Sequence, residues 1–132
     1  MALPFNLDAA ALVGRIALGA IFLTHGIPKM RDLKKPVAFV VGTGWPGGAT
    51  FAVLFSLLEF FGGIALILGL LTQPVAFLFF LEMVATTIFS KTKLQKKFAL
   101  GYELDVAYAA FALVLAFLGP GAFSLDRIVG LG

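Results

Sequence analysis

No cysteine occurs in the 132 residues of this chain, which excludes disulfides, thiol redox chemistry, iron–sulfur ligation and thiolate zinc sites. A single histidine, His25, excludes bis-histidine haem ligation within the chain and leaves a His/Met pair as the formal haem option. The expectation is no metal and no intrinsic cofactor; if the protein serves electron transfer, the metal sits elsewhere. Charge is scarce as well, with 13% of residues charged against about a quarter in a soluble domain.

What the chain has is apolar length. It is 61% hydrophobic with a mean hydropathy of +1.04, and a soluble fold of that composition would lack the polar surface to cover itself. Intrinsic disorder is excluded for the same reason. A spanning helix uses about 20 residues, so this length supplies four spans and short connections without a further water-soluble domain. Residues 1–132 are read as a single membrane domain. The net charge of +3 gives no reason to expect a nucleic-acid partner.

The apolar runs place helices at about 7–29, 50–71, 74–90 and 102–118. The first has no small-residue cleavage site and is too long for a signal-peptide core, so it is read as a mature helix. Thr72-Gln73-Pro74 predicts a tight turn between antiparallel neighbours. Gly119-Pro120-Gly121 stops the last span. Between the first two spans, Pro36 opens a short helix through Val41, closed by Gly42. That segment is too short to cross and is expected in the membrane interface, with Trp45 at headgroup depth. Phe123 to Leu131 is also too short to span and is expected on the surface or against the bundle. The fold class is an all-α membrane protein, an antiparallel four-transmembrane-helix bundle with a short interfacial helix between helices 1 and 2.

Lys29, Arg31, Lys34, Lys35, Lys91, Lys93, Lys96 and Lys97 all fall in the connections after the first and third helices. The opposite side carries Arg127, and Arg15 lies within a helix. Short cytoplasmic loops retain Lys and Arg, which predicts both termini outside and both basic loops in the cytoplasm. The Lys91–Lys97 cluster is read first as this topological signal and second as a contact for anionic lipid or an acidic partner.

A charge near the bilayer centre costs roughly 2.5–3.5 kcal/mol on insertion scales, so buried ionisable groups face the bundle interior and have partners. Arg15 and Glu82 each lie about eight residues, roughly 12 Å, from the same side, and this matched depth makes them candidates for an intramembrane ion pair. A second candidate cluster holds His25, Glu59 and Glu103, toward the basic side. Glu59 has no obvious basic partner and is expected either as a neutral carboxyl or in an ion pair completed by His25. Arg15, Gly19, Phe22, Gly26 and Lys29 form one stripe; Glu59, Gly62, Gly63, Leu66 and Gly69 form another, where glycines permit close backbone approach. Glu82, Ala85, Thr86 and Phe89 mark the third helix face. On the fourth, Glu103 aligns with Ala107, Ala110 and Val114, with Asp105 nearly opposite. Structural alternatives stand beside these roles: a helix-locking ion pair for Arg15 with Glu82, and capping or interfacial placement for His25.

Four motifs carry a family resemblance. Gly19-Ala20-Ile21-Phe22-Leu23-Thr24-His25-Gly26 with Lys29, then Leu58-Glu59-Phe60-Phe61-Gly62-Gly63 with Gly69-Leu70-Leu71-Thr72, then Gly101-Tyr102-Glu103, and Gly119-Pro120-Gly121 before Ser124-Leu125-Asp126, resemble the DoxX family of small four-helix membrane proteins. The chain departs from that pattern at Lys91–Phe98, where a more apolar connection is expected. The resemblance implies a membrane subunit of respiratory or sulfur-linked redox systems in prokaryotes, with quinone as the ligand in view and His25, Glu59 and Glu103 as the matching polar residues. The first expectation is a non-catalytic subunit in the plasma membrane that anchors other membrane or redox subunits and shapes a site for quinone or another apolar ligand. The alternative is a small homo-oligomeric transporter or lipid-ligand binding protein. An intrinsic enzyme ranks third, since the chain shows no activated nucleophile with a defined partner.

Overall fold

Asn6 sits in extended backbone and its side chain accepts from the Ala9 amide at 3.0 Å, an ordinary polar N-cap that starts α1 (Leu7–Arg31). The computed structural model describes residues 5–132. After Asp32, whose carboxylate accepts from the Lys34 amide, comes the short α2 (Lys34–Gly42). The second span is built from α3 (Gly48–Leu57), a π turn (Leu58–Gly62) and α4 (Gly63–Leu68). The third is α5 (Thr72–Thr92) and the fourth α6 (Glu103–Leu118), followed by the single-turn α7 (Leu125–Ile128). The described residues are helical with no strands, and four helices are long and apolar enough to cross a membrane. The second and third such segments run 21 residues each, about 30 Å at 1.5 Å per residue, which matches the hydrocarbon core.

Several boundaries differ from the sequence reading for identifiable reasons. The second span stops at Leu68 because Gly69 adopts φ +71°, and the Gly69 and Leu70 amides return to the Leu66 and Ala65 carbonyls in a Schellman-type stop. The tight turn is therefore Gly69–Leu71. Thr72, Gln73 and Pro74 already belong to α5, where a proline in the first turn costs no hydrogen bond. Phe98–Tyr102 is a kinked turn, with Ala99, Leu100 and Gly101 outside helical backbone, and Glu103 holds it by accepting from the Leu100 amide at 2.8 Å.

The glycine stripes of the first two spans meet. A Cβ on Gly19 would stand 2.6 Å from the Gly63 carbonyl oxygen, and one on Gly63 would stand 2.9 Å from that of Gly19. At Gly26 the obstacle is the backbone of the π turn, 2.6 Å from the Phe60 nitrogen. Small residues let the helices touch through main chain, where packing supplies the association energy that the hydrophobic effect cannot supply in lipid. The core between the spans is Leu18, Phe22, Leu66, Phe79, Met83 and Leu115, and Phe22 stacks on Phe79 with ring centroids 3.8 Å apart. The fourth-helix stripe read from Glu103 is on the wrong side: Ala107, Ala110 and Val114 are exposed, and Ala109, Ala112 and Leu115 face inward. Leu54, Phe61, Leu81, Val114 and Phe117 are exposed and form part of the apolar outer surface that lipid covers.

Candidate functional site

The two ends of the bundle carry different polar constructions. At the end holding both termini, Arg15 is fully buried, and its guanidinium donates to the carbonyl oxygens of Leu66 at 3.3 Å, Ile67 at 3.4 Å and Phe123. Those first two carbonyls belong to the last turn of α4, where helix geometry leaves oxygens without intrahelical partners and a cation is favoured. Asp126, 2% exposed, does the converse for α5: its carboxylate accepts from the Leu71 and Thr72 amides at 2.6 and 2.8 Å. Its own amide donates to the Gly69 carbonyl at 2.8 Å. The turn between the second and third spans is thus held by one cation at a helix C-terminus and one anion at a helix N-terminus. Phe123–Leu131 folds against the bundle to supply half of this arrangement.

Arg15 and Glu82 do not pair. The sequence matched them by depth, but depth leaves the rotation of each helix open, and Arg15 turns toward α4 and the closing segment. Glu82 is 1% exposed, and neither of its oxygens has a hydrogen-bond partner. Its charged neighbours are Glu59 and Lys29.

At the basic end, a cavity of about 760 Å³ lies within the bundle and opens between the two basic connections. Its apolar wall includes Phe22, Phe39, Phe55, Met83 and Phe89, contributed by four different elements. Trp45 lies edge-on to Phe51 and Phe89, with centroids 5.5 and 5.3 Å away, and braces that wall from α2's connection to the second span. Polar groups enter at defined places: His25 and Lys29 from α1, Glu59 from the π turn, Ser90 from α5, Asp105 and Tyr108 from α6. Lys29 Nζ contacts both oxygens of Glu59, at 2.8 and 3.0 Å, in the ion pair found among the described residues. Ser90 donates to Asp105 at 2.9 Å.

Of the expected His25, Glu59 and Glu103 cluster, the cavity brings together His25 and Glu59. Glu103 lies outside the lining, spent on the Leu100 amide. The ion-pair partner of Glu59 is Lys29 rather than His25. That partner was visible in the sequence as the last member of the Arg15–Lys29 stripe, one turn beyond His25 and on the face that Gly26 presses against the π turn. Asp105, four residues before the inward-facing Ala109, carried the same kind of signal once the correct face of α6 is known. The π turn itself has no sequence signature; it inserts one extra residue per turn, and such turns recur at functional sites.

The described residues contain no group of three or more His, Cys, Asp and Glu side chains able to hold a metal ion. Hydrogen-bond donors among the lining residues include His25, Lys29 and Tyr108.

The DoxX family pattern matches residues 10–92. The chain is 32% identical to the inner membrane protein YphA of Escherichia coli, over 88% of this chain and 87% of that one. It is 30% identical to the inner membrane protein YqjF of the same organism, over 92% and 93%. It is 28% identical to a Bacillus subtilis protein named "Putative oxidoreductase CatD", over 96% and 92%. No solved structure matches. A family pattern that covers three of the four apolar spans, and relatives matched along nearly their whole length, establish that this chain belongs to the DoxX family of membrane proteins.

Proposed function

We propose that the chain is a plasma-membrane subunit of a respiratory or sulfur-linked redox complex, which anchors partner chains and holds a quinone-type ligand in the cavity at the basic end. The observation that carries the reading is the cavity's division of labour. Its volume lies within the range of small-molecule sites, its walls are aromatic, and its lining carries the donors His25 and Tyr108 as well as the buried Glu59 paired with Lys29. The oxidoreductase in the name of the Bacillus relative supports the same class. A quinone supplies two-electron, two-proton chemistry when bound. The residues of this chain then have separate tasks: His25 and Tyr108 donate to carbonyl oxygens, Lys29 fixes the Glu59 carboxylate, and Glu59 offers a proton acceptor at the cavity wall.

Purified protein should bind a short-tailed quinone analogue, followed by quenching of Trp45 against the aromatic wall. Glu59→Gln is expected to weaken that binding about tenfold, a loss of about 1.4 kcal/mol. Unchanged affinity in this variant removes the site from consideration. Purification in mild detergent is expected to retain other redox subunits; a stable homo-oligomer with phospholipid in the cavity supports the transporter or lipid-binding alternative instead.

The basic loops face the cytoplasm in this reading. The absence of cysteine makes single-cysteine variants direct probes. A cysteine at the exposed position Arg127 should react with an impermeant maleimide added to intact cells, and one at Lys93 should not. The reverse pattern inverts the topology.

A further inference from the structure

Glu82 takes no part in the hydrogen bonds at either end of the bundle. Its carboxyl is 1% exposed, both oxygens lack a donor, and its immediate polar neighbour is the carboxyl of Glu59. An ionised carboxylate only accepts hydrogen bonds, so two ionised carboxylates side by side present acceptor to acceptor. The ion pair with Lys29 compensates one negative charge, not two. A buried polar group without a partner is destabilising, and a buried uncompensated charge is more so. One proton resolves both problems: it makes one carboxyl a donor to the other, and it leaves Lys29 and a single carboxylate in balance.

We propose that Glu59 and Glu82 form a carboxyl pair that holds one shared proton in the middle of the bundle, immediately behind the ligand cavity. The cavity reaches Glu59 and stops short of Glu82. Glu82 is thus the inner member, which carries the proton while Glu59 pairs with Lys29. Transfer moves the proton from the Glu82 hydroxyl to a Glu59 oxygen. It leaves Glu82 as the carboxylate and presents the proton at the cavity wall. The pair is a proton-binding site in its own right and does not depend on which ligand fills the cavity.

Infrared spectroscopy of the protein in lipid nanodiscs at neutral pH tests this directly. The wild type should show a protonated-carboxyl C=O stretch that exchanges slowly in D₂O. The band should disappear in Glu82→Gln, shift in Glu82→Asp and in Glu59→Gln, and remain unchanged in Glu103→Gln. Glu82→Gln should keep its thermal midpoint close to wild type, because the amide donates to Glu59 in place of the shared proton. Glu82→Leu, which leaves no donor, should lower the midpoint clearly. Absence of the band from the wild-type spectrum at neutral pH overturns the proposal whatever the variants do, and so does a band that survives in Glu82→Gln. A lost quinone site with an intact Glu82 band overturns the proposed ligand and leaves the proton pair standing.

Discussion

Arg15→Leu is expected to lower the stability of the folded bundle by about 3–5 kcal/mol, the usual cost of removing one partner from a buried charged network. The loss has three parts. The Leu66 and Ile67 carbonyls at the end of α4 lose the guanidinium, which leaves Leu66 only the Gly69 amide; the Phe123 carbonyl loses its anchor, and Asp126 is left as a buried anion without the nearby cation. Leucine fills similar volume but offers no hydrogen bond, so packing cannot compensate. Arg15→Lys should fall between the two, since one ammonium cannot reproduce the planar fork that spans carbonyls from two segments. Unfolding in mixed micelles gives the stability difference. Limited trypsin digestion gives its location: cleavage after Arg127 should accelerate in Arg15→Leu, because the closing segment is held by Phe123 and Asp126 and both contacts depend on this corner. Equal digestion rates in variant and wild type contradict the assigned role.

Gly26→Leu should be nearly as damaging, by about 3 kcal/mol, and should also abolish ligand binding at the basic end. Its first added atom would lie 2.6 Å from the Phe60 nitrogen and 2.8 Å from the Glu59 carbonyl carbon. Those are main-chain atoms in a helix, so no side chain can rotate away, and relief requires α1 and the π turn to separate. Separation pulls Lys29 from Glu59, because the two halves of that ion pair ride on the two helices in contact. Gly42→Ala is the matched control. Nothing lies within 4 Å of its added Cβ, and its stability should stay within about 0.5 kcal/mol of wild type. Thermal unfolding and quinone-analogue titration on the same three samples separate a packing defect from a site defect.

The glycines explain why some of the site was legible in advance. Helical periodicity fixes which residues share a face, so the stripe from Arg15 to Lys29 and the stripe from Glu59 to Gly69 followed from spacing alone. The glycines marked places for close backbone approach, but that these two stripes meet each other, Gly19 against Gly63, was decided by packing. Glu59 was singled out on depth and lack of charge compensation, and it does lie at the cavity. Its true partner was missed because Lys29 looked like one more residue of a basic loop, whereas α1 continues through Pro28 and keeps Lys29 in helical register to Arg31. Glu103 was chosen over Asp105 because its charge stands at the head of a motif. The packing of α6 on α5 selects the other face, where Ala109 and Ala112 are small enough to admit the neighbouring helix.

Composition and periodicity by themselves determined that this is a four-span all-helical membrane protein with eight of its ten basic residues gathered at one end, because apolar length and side-chain phase are properties of each segment alone. Tertiary structure decided the partners: Arg15 with the carbonyls of α4 and Phe123, Asp126 with the amides of α5, and Lys29 with Glu59. Those pairings depend on how far each helix is rotated about its axis and on the extra residue in the π turn, and both are set by contacts between segments distant in the chain.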